Sequence, residues 1–339
     1  MSIRLWCSWL AALLLAAAPA AAQEPPQQDV EALSRALSRA SDAVVGLRVR
    51  AVDDARSAAT LGRERLGSGV LIGADGLVLT IGYLVLEAEE AELLTDDGRR
   101  IPARVVAYDL ATGFGLVQAL APLRLEPVPL GRSGSVGAQE PLMVASGGDD
   151  GAVSIARLVS RRAFSGFWEY HIEGALFTAP ARRDHSGAGL FNGRGELIGI
   201  GSLFVADASG SEGPRTPGNM FVPVDLLAPI LPELRQRGSS SASTRAWLGI
   251  NGVEQGGQVR IVRVNEDSPA DVAGLEVGDR ILAIDGQAVA GLGELWKRLW
   301  AGGAPERAVQ LEIERDGKRE TLTVQSVDRA KTLRRPQGI

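Results

Sequence analysis

The first apolar stretch of the chain differs from everything after it. Leu10 to Ala18 contains no polar residue, follows a lone charge at Arg4, and runs into Ala20-Ala21-Ala22. This is the layout of a secretory signal peptide, with cleavage expected after Ala22. Its core is shorter than the ~20 apolar residues that a membrane span needs. Residues 1–22 are therefore expected to be removed and the remainder exported to the periplasm, with no stable membrane insertion. Residues 23–41 form a lead-in: QEPPQQ reads as flexible chain, and Leu33 and Leu37 then fall at a helical spacing.

From Val44 the period changes to two. VVGLRVR (44–50), GVLIGADGLVLT (69–80), IPARVVAYD (101–109), PLMVAS (141–146) and GELIGIGSLFVA (195–206) are short alternating runs. Asp75-Gly76, Asp97-Gly98 and Gly193-Arg194-Gly195 between them are hairpin turns. So many short strands with few helices predict an all-β pair of barrels or sandwiches over residues 42–234, closed by a helix near Pro223–Leu234. RQRGSSSASTR (235–245) has no periodicity and reads as a flexible linker. A second unit follows at 246–328, with five strand patterns and a helix at Leu292–Trp300. The basic tail, 329–339, is expected to be disordered.

Composition removes several chemistries. At 45% hydrophobic and 23% charged the chain is globular, and a net charge of −5 argues against nucleic acid as a partner. Two histidines and the single Cys7 leave no Cys/His zinc site, iron–sulfur cluster or cysteine nucleophile. No metal and no cofactor are expected.

Ser186 lies in a glycine-rich turn, RRDHSGAGLFNGRGELIGI (182–200), which alone is weak evidence for a nucleophile. Together with GSGVLIGADGLVLT upstream, and WLGI and SPADVAGLEVGDRILAIDG downstream, the segment resembles the HtrA/Deg family of exported serine proteases. The resemblance spans residues 42–328. It implies a mainly β fold: a chymotrypsin-like double β-barrel followed by one PDZ domain. The family's catalytic histidine lies in T-N-x-H-V-V, and the matching stretch is Thr80-Ile81-Gly82-Tyr83-Leu84-Val85, with Tyr83 at the histidine position. The catalytic aspartate position is Gly113, although Asp109 is kept upstream. G-N-S-G-G becomes Asp184-His185-Ser186-Gly187-Ala188, so Ser186 alone survives of the triad.

A serine hydroxyl attacks only when a base accepts its proton and a third group orients that base. Tyr83 is protonated at neutral pH, Gly113 has no side chain, and no lysine precedes Lys297 to form a Ser–Lys dyad. Asp184 stands where the family has an oxyanion-hole glycine, and its charge would repel an oxyanion. His185 adjoins Ser186 and points away from it; His171, after the aromatic stretch FSGFWEYH, reads as a loop or core histidine. The barrels are thus read as a proteolytically dead protease fold.

By the same resemblance Trp247-Leu248-Gly249-Ile250 is the PDZ carboxylate loop, with Gly249 allowing close approach of a ligand. Trp296 and Trp300, one turn apart, are candidates for groove surface, and Leu295 and Leu299 for core. The expected function is a non-catalytic envelope protein that holds unfolded or carboxy-terminal peptide segments in protein quality control. An active endopeptidase using Ser186 with another base is the alternative. The family's trimeric habit adds a homotrimer, or a structural subunit assembled with an active relative.

Overall fold

The alternating runs close on themselves. A computed structural model describes residues 27–137, 140–210 and 214–334, so the signal-peptide expectation lies outside the described residues. In the first barrel, β1 (Val44–Ala51), β2 (Glu64–Leu71), β3 (Leu77–Ile81), β4 (Ala88–Leu94), β5 (Arg100–Tyr108) and β6 (Phe114–Ala119) are joined in the order β1-β2-β3-β6-β5-β4. In the second, β7 (Pro141–Ala145), β8 (Val153–Gly166), β9 (Tyr170–Ala179), β10 (Gly189–Phe191), β11 (Leu197–Val205) and β12 (Gly218–Pro223) follow β10-β11-β12-β9-β8-β7. Closure leaves neither sheet an edge along its barrel, and alternation sends every second side chain inward. One apolar core, with Leu47, Phe114 and Leu116 from one barrel and Phe177 and Phe191 from the other, runs beneath the cleft between them.

Helix α1 (Gln27–Asp42) precedes β1, and a Cβ on Gly195 would strike its Ala36 carbonyl, so it lies directly on the β10–β11 turn. One-turn helices α2 (Ala58–Leu61) and α3 (Gly82–Val85) interrupt the first barrel; α3 carries Tyr83. The closing helix is displaced from its expected place. Val224–Leu226 is a 3-10 turn, and α4 runs Leu231–Arg237 with Pro232 in its first turn.

The last domain is a sheet ordered β14 (Ile250–Gln255), β15 (Gln258–Val264), β16 (Arg280–Ile284), β18 (Ala308–Arg315) and β19 (Lys318–Gln325). The two-residue strand β17 (Gln287–Ala288) hangs on β16, and β13 (Ala246–Trp247) pairs β20 (Val327–Asp328). The short helix α5 (Pro269–Val272) is capped by Ser268, and α6 (Leu292–Ala301) buries Leu292, Leu295, Trp296 and Leu299. β14 is an edge strand of this sheet, which matters below.

Two expectations of flexibility are corrected. The serine-rich linker is docked: Ser240 and Ser243 donate hydroxyl hydrogen bonds to the carboxylate of Asp109, which is fully buried. Ser240 N–H and the N–H and hydroxyl of Thr112 complete its shell. Burial pushes the Asp109 carboxyl up, but these donors outweigh it and hold it below its ordinary value. The start of the basic tail is ordered as well. Arg329–Thr332 forms a 3-10 turn capped by Asp328, and the Arg334 N–H donates to Glu87 at 2.8 Å.

Candidate functional site

The cleft between the barrels brings Tyr83 and Ser186 together. Ser186 lies in the turn before β10, stitched to the first barrel by the Ser68 N–H, which donates to the Ser186 carbonyl at 2.8 Å. The Tyr83 hydroxyl is 2.7 Å from Ser186 Oγ and 2.8 Å from the Ser202 carbonyl oxygen. A carbonyl can only accept, so the single phenol proton has two competing acceptors, one of them the would-be nucleophile. Burial pushes the Tyr83 hydroxyl up to about 12, although its bond to Ser186 pulls the other way. At pH 7 about one phenol in 10⁵ is then ionised, and a neutral phenol does not take a proton from serine.

Gly113 is near the same place but contributes backbone only. Its carbonyl accepts from the Gly82 N–H at 2.6 Å, one residue before Tyr83. Its φ of +80° is a left-handed conformation, and a Cβ built there would meet the Tyr170 hydroxyl at 2.9 Å. That hydroxyl, from β9 of the second barrel, donates to the Thr112 carbonyl at 2.7 Å. Space for a carboxylate at position 113 is thus held by Tyr170.

The Asp184 charge, expected from the sequence to repel an oxyanion, is paired within the structure. Its carboxylate pairs with Arg182 and accepts from the Ser146 hydroxyl. Burial opposes ionisation, yet these two partners keep the carboxyl below its ordinary value. His185 turns its Nδ1 to the Arg182 carbonyl at 3.1 Å and burial lowers its pKa, so it remains neutral and engaged elsewhere. His171 lies on β9 between Ser165 Oγ at 2.8 Å and Glu173 at 3.1 Å, satisfied at both nitrogens.

The second cluster is at Trp247–Ile250, and it is occupied. The N–H groups of Leu248, Gly249 and Ile250 converge on the carboxylate of Glu169, with a shortest contact of 2.7 Å from Gly249. Glu169 belongs to the tip of the β8–β9 hairpin. Upstream of it, Trp168 bridges Asn251 in antiparallel register and the Phe167 carbonyl accepts from the Gly252 N–H at 2.8 Å. Trp296 of α6 is buried beneath the hairpin, its Nε1–H donating to the Gly166 carbonyl at 3.1 Å. Trp300 stacks on Trp296 and donates to the Ala246 carbonyl, while the Arg329 guanidinium covers Trp247. Trp296, expected from the sequence as groove surface, is instead fully buried in the core of its domain and reaches the hairpin through its indole N–H.

Gly249 has a different reason for being glycine. At φ +89° a Cβ there would collide with the Ser268 side chain of its own domain, before any ligand is considered. Sequence reasoning missed Glu169, Tyr170 and Ser202. The signal available for the first two was a single acid flanked by aromatics, FWEY, at a hairpin tip.

Comparison with known proteins agrees with this architecture. The family model described as a trypsin-like peptidase domain matches residues 67–200, and a PDZ domain model matches 246–325. A "Probable periplasmic serine endoprotease DegP-like" of Ectopseudomonas mendocina (strain ymp) is 28% identical over 281 residues, 78% of this chain and 57% of its own length. The protein of the same description from Marinomonas sp. (strain MWYL1) is 29% identical over 279 residues, 77% of this chain and 57% of its own. This chain therefore spans little more than half the length of these curated relatives. Among solved structures, the HtrA-type protease AlgW with tripeptide has a TM-score of 0.53 at 23% identity, covering 90% of this chain and 98% of its own. The serine endoprotease from Yersinia pestis gives 0.53 at 22%, covering 90% and 99%.

Proposed function

For a chain with a trypsin-like peptidase domain and a PDZ domain, homologous to the DegP/HtrA serine endoproteases, we propose a non-catalytic role. It is a pseudoprotease of the periplasm that binds unfolded or carboxy-terminal peptide segments through its PDZ groove, as chaperone, adaptor or regulator in protein quality control. The observation that carries this reading is the Tyr83 hydroxyl 2.7 Å from Ser186 Oγ, where the reaction needs an imidazole. In a comparable hydrolase, loss of the base alone costs ~10⁶ in turnover. Here the orienting carboxylate is absent too, and Tyr170 fills its place.

The peptide-binding half rests on the geometry of the loop. Three adjacent N–H groups converge on one carboxylate beside an edge strand, the arrangement by which a chain end is captured by strand addition. A solved HtrA-type neighbour described with a tripeptide is in keeping with it. Export follows from the apolar run and small residues before Gln23, and relatives are described as periplasmic. Among the described residues no helix is long and apolar enough to cross a membrane.

The test is hydrolysis of casein by the full chain beside Ser186→Ala. We expect the two to be indistinguishable. Cleavage by the unmodified chain that Ser186→Ala abolishes would establish the competing reading, an endopeptidase with an unusual base.

A further inference from the structure

We propose that the PDZ groove is held shut by a ligand carried on the chain itself: the hairpin tip Gly166–Glu169 occupies it, and an external carboxy-terminal peptide enters only by displacing this tip. The proposal rests on the reading of the groove as a peptide site.

Every contact that an extended peptide would need is already made from within. A chain end adding to β14 requires main-chain pairing along the strand and a carboxylate at the loop. The hairpin supplies the Trp168–Asn251 bridge, the Phe167 carbonyl for the Gly252 N–H, and the Glu169 carboxylate for Leu248, Gly249 and Ile250. It runs antiparallel to β14, so Glu169 takes the terminal place, with a side-chain carboxylate standing in for a main-chain one. On the opposite wall the Trp296 indole holds the Gly166 carbonyl, and Lys297 of α6 pairs with Glu173 at 2.5 Å. Phe167 is half-exposed at the tip, and the aromatic rings of Phe164, Trp168 and Tyr170 pack in sequence behind it.

A tethered ligand acts at a high effective concentration, on the order of millimolar for a short connection. External affinity falls by the fraction of molecules that are open. The adjoining Tyr170 reaches the position-113 loop of the first barrel, so the tip is anchored at both ends of the interface.

The experiment uses the full chain and a fluorescein-labelled peptide, Ser-Gly-Phe-Trp-Val, which copies residues 165–168 and ends in a free carboxylate. Glu169→Ala should bind it at least about tenfold more tightly than the unmodified chain. The second variant, Trp168→Cys with Asn251→Cys, joins the bridged pair, whose Cα atoms lie within disulfide range in an antiparallel bridge. Oxidised, it should bind no peptide; reduced, it should bind. Amide hydrogen exchange is read alongside, with the Leu248–Ile250 amides slow in the unmodified chain and faster in Glu169→Ala. Equal affinity for the unmodified chain, Glu169→Ala and the oxidised pair, with those amides exchanging freely, would overturn the internal ligand. Absence of binding by every variant, with the amides still released by Glu169→Ala, would instead overturn peptide capture and leave the tip as a fixed interdomain clamp.

Discussion

On the proposed reading, a phenol, a glycine and a serine stand where hydrolysis would need an imidazole, a carboxylate and an activated hydroxyl. The motif spacing puts Tyr83 and Ser186 in one cleft, and they meet there at 2.7 Å. What the spacing does not reveal is Tyr170, because a residue from the other barrel fills the gap only after both barrels close. Restoring chemistry therefore takes more than Tyr83→His, Gly113→Asp and Asp184→Gly. Combined, these three should still give no casein hydrolysis until Tyr170 is shortened to alanine. Gly113→Asp alone should lower stability by about 1–3 kcal/mol, through its left-handed backbone and the contact with Tyr170. Thermal melting of Gly113→Ala with and without Tyr170→Phe separates the two causes, since the Cβ meets the Tyr170 hydroxyl and phenylalanine removes it while the left-handed strain stays. Gly249→Val similarly should destabilise the PDZ domain itself, because the collision is with Ser268. A melt of that variant matching the unmodified chain would refute this account of Gly249.

At the scale of elements, strands were readable because alternation and Asp-Gly turns are local signals, and β1 to β3 lie where those signals put them. The connections were not. A serine-rich segment looks like solvated chain by composition, but here its hydroxyls satisfy a carboxylate buried by a different element. Asp109→Asn should cost about 2–3 kcal/mol, since three hydroxyls and two N–H groups lose their charged acceptor and the amide NH2 must face one set of these donors. It should also release the linker, read as new proteolytic cleavage between residues 238 and 245. The folded Asp109 carboxyl is held below its unfolded 3.8, so its contribution is present above that value. It is lost as pH falls through the depressed folded value. Acid unfolding of Asp109→Asn, followed beside the unmodified chain, should accordingly lack the part of the stability loss below about pH 4 that this carboxylate is expected to contribute.

Over the whole molecule, the double barrel and PDZ domain were legible, while their docking was not, because one hairpin tip decides it. Burial pushes the Glu169 carboxyl up to about 7, against the pull of the Gly249, Leu248 and Ile250 N–H groups and the Arg329 charge. Arg329, His171, Glu173 and Lys297 are charged or titratable groups at the same interface. A released Glu169 would titrate near its ordinary 4.5, so protonation favours the closed form. That advantage is complete below about 4.5 and disappears as pH rises through about 7. Peptide affinity of the full chain should therefore rise between about pH 5 and pH 8, and stay flat in Glu169→Ala. Fluorescence anisotropy with the labelled peptide checks both. The central claim is that Ser186 is not an activated nucleophile, and fluorophosphonate labelling tests it most directly. At pH 7 the full chain should label no faster than Ser186→Ala. Rapid labelling that Ser186→Ala removes would contradict it.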